Sequence, residues 1–240
     1  MVLKLLKSFG VEVTRYSLFK RSIDLLVALE AERGRKPFFL QVGANNGIDF
    51  DDFFAIVGAH ELPGIAVEPI AYYFQTLEEV YKRHRDIRTL NVAIHPVETS
   101  AILYRVDPAK VSISWQHGIG SFSRAHILKN GVPAEHIIEE QVECLSLADI
   151  VAHHVPENAS IDILMCDTEG FDGEIMQMVD LVHIRPKVIK FESINLSQDV
   201  VRTIAARLCQ AGYVVEQGIQ DCVAVERTYA DRLSHFLKAS

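Results

Sequence analysis

Short apolar runs alternate with segments of helical spacing along most of the chain. A segment of helical spacing at residues 17–32 ends at a break containing Gly and Pro, and an apolar run follows at residues 38–42. This pairing recurs downstream and is typical of repeated strand–helix units. The predicted strands cover residues 38–42, 65–67, 87–94, 102–106, 137–144, 161–166, 188–191, 213–215 and 222–225. The predicted fold class is therefore α/β, built around a parallel sheet.

The predicted helices fall between these strands. They cover residues 17–32, a segment beginning at 49–57, a segment ending at 81, and residues 146–153, 173–179 and 199–210. Residues 108–132 are polar and less regular, and long loops of this kind are usually functional or mobile. The chain has 240 residues and no internal repeat or linker. We therefore expect a single domain over residues 1–240, with residues 1–36 as an N-terminal helical extension.

The composition narrows the class of protein. Hydrophobic residues make up 49% and charged residues 23%, which is typical of a globular protein. The formal net charge of -8 and the lack of a dense Lys/Arg block argue against a general nucleic-acid binder, so no nucleic-acid partner is expected. No run of about 18 apolar residues is present, so no membrane span is expected.

The four cysteines and the N-terminal residues bear on location. No two cysteines form a C-x-x-C pair, which argues against a zinc or redox motif and favours free thiols in a reducing compartment. Residues 1–15 are amphipathic but lack the features of a signal peptide, and they are interpreted as a packed helix rather than a membrane anchor. The expected location is cytoplasmic.

Glycines and carboxylates follow several predicted strands at their carboxyl ends, where parallel open sheets bind ligands. Gly43 and Gly47 form a turn after the first strand, and glycine lets a backbone approach a nucleotide closely. Glu68 ends the second strand, where a carboxylate can accept both hydroxyls of a ribose. The acidic residues at later strand ends are Asp167, Glu169 and Glu192. Each could be a turn, a solvated strand end or a helix-start charge, but the glycine turn and Glu68 together favour a ligand containing adenosine.

Five segments in order resemble the FkbM family of methyltransferases across roughly residues 38–192. They are Gln41-Val42-Gly43-Ala44-Asn45-Asn46-Gly47, Ala66-Val67-Glu68-Pro69, Leu90-Asn91-Val92-Ala93-Ile94, Ile163-Leu164-Met165-Cys166-Asp167-Thr168-Glu169-Gly170 and Lys190-Phe191-Glu192. The resemblance implies a class I methyltransferase fold, which is Rossmann-like, with a mostly parallel sheet, an antiparallel closing strand and helices on both faces. It also implies S-adenosyl-L-methionine as the cofactor and O-methylation, often of sugars or polyketide hydroxyls.

The resemblance also implies roles by position. Gly43, Ala44, Asn45 and Gly47 match the cofactor loop, and Glu68 matches the ribose-binding acid. Asn91 and Ala93 match the segment near the adenine. The D-x-E-G element, beside the cofactor and the reacting atoms, is matched by Asp167, Glu169 and Gly170. The chain departs from the family at Gln41, where many members carry Asp. A Gln supplies no negative charge near the sulfonium.

Methyl transfer to a hydroxyl requires alignment of the reactants and removal of a proton. Asp167, Glu169 and Glu192 are the carboxylate candidates for the catalytic base, and His126 or His117 are alternatives. A divalent cation could bridge acid oxygens and the acceptor, but the sequence does not require it and no metal ligands are assigned. Weaker candidates in the 108–132 loop are Trp115, Ser121 and Ser123.

Two other functions compete with this interpretation. A nicotinamide-dependent oxidoreductase would share the fold, but the G-x-G-x-x-G spacing is missing because position 45 is Asn and position 48 is Ile. A non-catalytic module that binds an adenosine cofactor is the second alternative. The expected partner is a small-molecule or glycan acceptor, and nothing in the sequence assigns an oligomeric state.

Overall fold

The computed structural model describes residues 21–49, 53–111, 113, 116 and 118–232. Trp115, His117 and the amphipathic residues 1–15 lie outside the described residues, so the expectations for them stay predictions. The described part of the helix predicted at 17–32 is Ser22–Ala31, called α1.

The strands, in chain order, are β1 (Phe38–Val42), β2 (Gly64–Val67), β3 (Ile87–Leu90), β4 (Ala93–Ile94), β5 (Ser100–Val106), β6 (Gly120–Ser121), β7 (Ile137–Leu145), β8 (Ile161–Cys166), β9 (Val188–Glu192), β10 (Tyr213–Gln217) and β11 (Asp221–Glu226). The main sheet has the order β10-β11-β9-β8-β1-β2-β3. Strands β3, β2, β1, β8 and β9 are parallel, and β11 runs antiparallel to both β9 and β10. The predicted mostly parallel sheet with an antiparallel closing strand is confirmed.

The central strands are buried on both faces, which explains why they are mainly apolar along their length rather than alternating between apolar and polar residues. Every residue of β1, β2 and β8 is buried. Successive side chains point to opposite faces, so Leu40 packs in one apolar layer and Phe39 in the other.

Helices cover both faces of this sheet, as predicted. The helices that follow α1 are α2 (Phe53–His60), α3 (Ala71–Tyr81), α4 (Arg124–Lys129), α5 (Leu147–His154), α6 (Asp172–Met178) and α7 (Gln198–Gln210). One apolar layer receives buried residues from α5, α6 and α7, and the other receives them from α1, α2 and α3. None of the helices within the described residues is long and apolar enough to cross a membrane.

The strand predicted at residues 87–94 is in fact two strands. Residues Ile87–Leu90 pair with β2 in the main sheet, whereas Ala93–Ile94 pair with β7 in a second sheet of order β4-β7-β5-β6. Asn91 lies at the break, and its side-chain amide donates to the backbone oxygens of Glu68 and Pro69 at 2.9 and 3.0 Å. These bonds fix the turn that carries the chain from one sheet to the other.

Candidate active site

A cavity opens at the carboxyl ends of the parallel strands and encloses about 180 Å³. It runs from the turn after β1, past the ends of β2 and β4, to the ends of β8 and β9. The sequence-predicted residues that line it are Gly43, Ala44, Asn45, Glu68, Ala93, Asp167 and Glu169. Gln41 and Ser121 line it as well, and Gly47, Asn91, His126 and Glu192 lie outside the lining.

The turn after β1 is built around backbone conformations that favour glycine. Gly43 has φ 78° and Gly47 has φ 77°, and Asn45 between them has φ 50°. A Cβ on Gly43 would lie 1.7 Å from the backbone oxygen of Asp167. We expected this glycine to give a ligand access to the backbone. The structure shows that it also lets the turn after β1 pack directly against the loop after β8.

Glu68 is buried at the end of β2, and its carboxylate supports the neighbouring loops. One oxygen accepts a hydrogen bond from the backbone N–H of Asn45 at 2.9 Å, and the other accepts one from Ile70 at 2.8 Å. Burial raises the pKa of Glu68 to about 7, against the lowering effect of these two bonds. A carboxylate oxygen can accept more than one hydrogen bond, so both oxygens can still accept from a ligand.

The two residues predicted to lie near an adenine differ in position. Ala93 lines the cavity wall, but Asn91 is exposed outside it and holds the β2 end through its amide. Beyond Ala93 the wall continues with Phe122 and Phe171, whose rings contact each other edge to face with centroids 4.9 Å apart. His95 stacks on Phe171 at 5.6 Å.

The loop after β8 contains three acidic residues with separate tasks. Asp172, at the start of α6, accepts hydrogen bonds from the backbone N–H groups of Thr168 and Gly170 at 3.3 and 3.4 Å. These bonds hold the loop after β8, and Asp172 also places an acidic side chain in the first turn of α6. Asp167 and Glu169 line the cavity, and Glu169 adopts φ 52°, a strained conformation of the kind that clusters at functional sites.

Glu169 and Glu192 meet at a residue that the sequence analysis did not identify. The side-chain amide of Asn195 donates to Oε2 of Glu192 at 2.8 Å and to Oε2 of Glu169 at 3.3 Å. His126 lies behind Glu169, with Nε2 at 3.7 Å from Oε2, and also contacts the Asn130 amide at 3.1 Å. Burial and then Lys129 lower the pKa of His126, so the ring is neutral near pH 7.

The predicted base His126 therefore does not face the cavity. Its ring packs against Gly170, where an added Cβ would lie 3.5 Å from two ring atoms. This arrangement places His126 beside a candidate base rather than beside an acceptor.

The carboxylates at this edge share a raised proton affinity. Burial, followed by the charges of Glu169 and Asp172, raises the pKa of Asp167 to about 7. Burial and Asp172 raise the pKa of Glu169 to about 7, and burial with Asp167 and Glu169 raises that of Glu192 to about 8. Asp167 lines the cavity, where its side chain is exposed. Carboxylates with these pKa values can accept a proton near neutral pH.

Three further charged residues line the cavity and were not predicted as site residues: Asp49, Lys190 and Asp221. Lys190 on β9 forms an ion pair with Asp221 on β11 at 3.3 Å, and its charge lowers the pKa of Asp167 against the other effects. Within the described residues, no group of three or more His, Cys, Asp or Glu side chains is placed to hold a metal ion. The weaker candidate Ser121 donates to the backbone oxygen of Glu169 at 3.1 Å, and Ser123 caps α4.

His153 and His154 end α5 at the opposite edge of the sheet from the cavity. Nδ1 of His154 lies 3.1 Å from a guanidinium nitrogen of Arg88.

Comparison with known proteins identifies one family. The Methyltransferase FkbM domain matches residues 41–215, which include the turn after β1, Glu68 and the strand ends of β8 and β9. No curated protein matches the sequence.

Among solved structures, the chain is similar to the methyltransferase FkbM from Methylobacillus flagellatus KT, with 13% identity and a TM-score of 0.46 over 79% of this chain and 43% of that one. It is also similar to the N-terminal domain of human METTL16, with 11% identity and a TM-score of 0.45 over 93% and 78% of the two chains. A third is precorrin-6y C5,15-methyltransferase from Geobacter metallireducens GS-15, with 12% identity and a TM-score of 0.38 over 79% and 81%.

Proposed function

The chain belongs to the FkbM methyltransferase family, and on that premise we propose that it transfers a methyl group to a hydroxyl of a sugar, glycan or secondary metabolite. Its fold is the class I methyltransferase fold, and it is an S-adenosylmethionine-dependent enzyme. Family membership removes the oxidoreductase and the non-catalytic module as competing interpretations.

The cavity has the parts that this cofactor needs. Glu68 would hold the ribose hydroxyls with the free acceptor capacity of its carboxylate, and the backbone from Gly43 to Asn45 would lie along the cofactor. Ala93 and the neighbouring ring of Phe171 would line the adenine side. When bound, S-adenosylmethionine supplies a methyl group on a sulfonium, so the acceptor oxygen gains the methyl, a neutral thioether leaves and one proton is released.

Transfer to a hydroxyl requires that this proton be removed, and carboxylates that can accept it are the reason for assigning O-methylation. A neutral hydroxyl is a poor nucleophile, so a base that is ionised near pH 7 and faces the acceptor accelerates transfer. Asp167 and Glu169 line the cavity with pKa values raised to about 7, and this single observation carries the proposal. One of them takes the hydroxyl proton and becomes a carboxylic acid.

The charge around the cavity supports a small acceptor rather than a nucleic acid. Asp167, Glu169 and Asp221 all line it, and carboxylates repel a phosphate backbone. A sugar or a polyketide alcohol carries hydroxyls without that charge. A cytoplasmic location is part of the same proposal, supported by four cysteines that are free in the structure.

The proposal is tested with Asp167→Asn and Glu169→Gln. Binding of S-adenosylhomocysteine is measured by calorimetry, and transfer of tritiated methyl is measured on a panel of monosaccharides, glycosides, polyketide alcohols and an RNA oligonucleotide. At least one variant should bind like the wild type and lose about 100-fold or more in turnover, because only transition-state stabilisation is removed. The matched control is the exposed Glu157→Gln, which should behave as the wild type in both assays.

Other outcomes reassign the acids or the acceptor. A lower melting temperature with an unchanged rate per folded molecule would give Asp167 and Glu169 a purely structural role. Methylation of the RNA alone would overturn the acceptor class. Activity lost to EDTA and restored by Mg²⁺ or Mn²⁺ would assign the carboxylates to a cation rather than to the proton.

A further inference from the structure

Asn195 lies in the loop between β9 and α7 and touches carboxylates from two neighbouring strand ends. Its Nδ2 atom is 2.8 Å from Oε2 of Glu192, the last residue of β9, and 3.3 Å from Oε2 of Glu169, which follows β8. An amide nitrogen carries two hydrogens, so it can donate one to each acid. Within the described residues, no other side chain donates hydrogen bonds to both carboxylates.

We propose that Asn195 is a positioning residue that holds Glu169 and Glu192 together as one proton-accepting pair behind the acceptor side of the cavity. This inference rests on the proposed methyl transfer to a hydroxyl. Glu169 lines the cavity and is the member that receives the hydroxyl proton, its carboxylate becoming a carboxylic acid. Glu192 lies outside the lining and acts through Glu169.

The surroundings of the pair explain why a neutral donor is needed there. The charged neighbours of Glu192 are Asp167 and Asp172, and Asp221 is its register partner on β11. The charge of Asp172, at the start of α6, raises the pKa of Glu169. Neighbouring like charges therefore disfavour ionisation of both Glu169 and Glu192.

The nearby basic groups do not relieve this repulsion. His126 lies 3.7 Å from Glu169 but is neutral near pH 7, because burial and Lys129 lower its pKa. Lys190 is engaged by Asp221 at 3.3 Å. The two hydrogen bonds donated by the Asn195 amide therefore favour the ionised state of Glu169 and Glu192 and orient their oxygens.

The experiment follows the two carboxyl groups directly, without an acceptor. Protein labelled with ¹³C at the Glu side-chain carboxyl is titrated by NMR, and the two resonances are assigned with Glu169→Gln and Glu192→Gln. In Asn195→Ala both titration midpoints should rise by about one pH unit, the scale of a lost hydrogen bond to a charged group. Asn195→Asp keeps the side-chain shape and should raise them further, because it replaces the donor by a negative charge. The exposed Asn158→Ala is the matched control and should leave both midpoints unchanged.

A second measurement does not disturb Asn195. In Glu169→Gln the midpoint of Glu192 should fall, since one like charge is removed from the pair. Unchanged midpoints in both Asn195 variants, or a shift of only one carboxyl, overturn the inference. A lower melting temperature without any midpoint shift would show that Asn195 only packs the loop, and also overturns it.

The two proposals fail separately. Calorimetry with S-adenosylhomocysteine is performed on the same preparations. If the wild type does not bind S-adenosylhomocysteine but the midpoints move as expected, the proposed function falls while the coupling of the two acids stands. If it binds and the midpoints do not move, the coupling falls and the methyltransferase proposal stands.

Discussion

Glu68 is the residue on which we expect cofactor binding to depend most directly. We expect Glu68→Ala to weaken S-adenosylhomocysteine binding by about ten-fold or more, because it removes charge-assisted hydrogen bonds to the ribose. The variant also leaves the backbone N–H groups of Asn45 and Ile70 without their acceptor, so part of the loss could come from a looser loop. A 2′,3′-dideoxy analogue separates the two effects in calorimetry. Because only the loop contribution remains for the analogue, the variant should lose less affinity for the analogue than for S-adenosylhomocysteine, and an equal loss for both ligands would contradict the ribose role. The exposed Glu78→Ala should change neither affinity.

Gly43 gives a prediction about stability. A Cβ at this position would overlap the backbone oxygen of Asp167 at 1.7 Å, in a conformation that side chains rarely adopt. Gly43→Ala should therefore lower the free energy of unfolding by about 2 kcal/mol or more, as measured by urea denaturation. Gly58 in α2 is the matched control, because a Cβ added there would meet nothing within 4 Å. Gly58→Ala should leave stability unchanged or raise it by up to about 1 kcal/mol. A Gly43→Ala protein as stable as the wild type would contradict the close packing of these loops.

At the residue scale, the sequence predicts acids and glycines that stand directly at strand ends. Glu68 and Asp167 are of this kind, because a strand end fixes which way the next residue can face. Asn195 and Lys190 were missed for different reasons. Asn195 reaches its partners only through the path of a loop, and Lys190 lies within a strand whose apolar pattern hides one polar position facing the cavity. His126 was predicted in a loop, whereas it lies on α4, behind Glu169 and outside the cavity lining.

At the scale of elements, α3 connects the second sheet to the cavity. The Tyr73 hydroxyl accepts a hydrogen bond from the backbone N–H of Gly118 at 2.7 Å, and Gly118 packs on the side chain of Asn45 in the turn after β1. At the start of the same helix, Glu140 of β7 accepts from the backbone N–H of Ala71 at 2.9 Å. The wall formed by the second sheet is therefore positioned by α3, the helix that follows Glu68.

Tyr73→Phe tests this connection. It leaves the Gly118 N–H without its acceptor and should lower the free energy of unfolding by about 1 kcal/mol. It should also speed hydrogen exchange at residues 118–121 and weaken S-adenosylhomocysteine binding. Tyr72 is next to it on α3 but is exposed, so Tyr72→Phe is the matched control. Equal exchange rates in the two variants would show that α3 does not position this wall.

The main sheet was predictable because its central strands are buried on both faces and so are mainly apolar, with only Gln41 in β1 and Asp162 in β8 as polar residues. The second sheet was not. Its strands β5 and β7 were predicted, but their antiparallel pairing joins residues far apart in sequence, such as Ser100 with Glu143. Periodicity carries no information about such pairing. The break at Asn91 was missed for the same reason, since apolar residues lie on both sides of it and belong to different sheets.

At the scale of the whole molecule, acidic side chains are concentrated where the strands end. Glu68, Asp167, Glu169, Asp172 and Glu192 come from three different strand ends, and burial raises the pKa of every one of them. The topology of the sheet, rather than any single loop, brings these charges together. Ionisation of these buried acids lowers the stability of the folded protein, and groups with such perturbed pKa values cluster at functional sites.

The pH dependence of stability follows from this concentration of acids. The folded-state pKa values of Glu169 and Glu192, about 7 and about 8, lie above the ordinary value of 4.5, so the folded protein binds more protons than the unfolded chain in between. Stability is highest below the unfolded-state pKa and falls as pH rises towards the folded-state pKa.

Between about pH 6.5 and pH 8 the free energy of unfolding, measured with urea, should therefore decrease. His126, whose pKa is lowered from 6.5, acts in the opposite direction, mainly below this window and in its lower part. The double variant Glu169→Gln and Glu192→Gln should make the decrease smaller without abolishing it, because the pKa values of Glu68 and Asp167 are also raised to about 7. The exposed Glu78→Gln should leave the decrease intact. Constant or rising stability across the window in the wild type would show that these acids are not held in the protonated state by the fold.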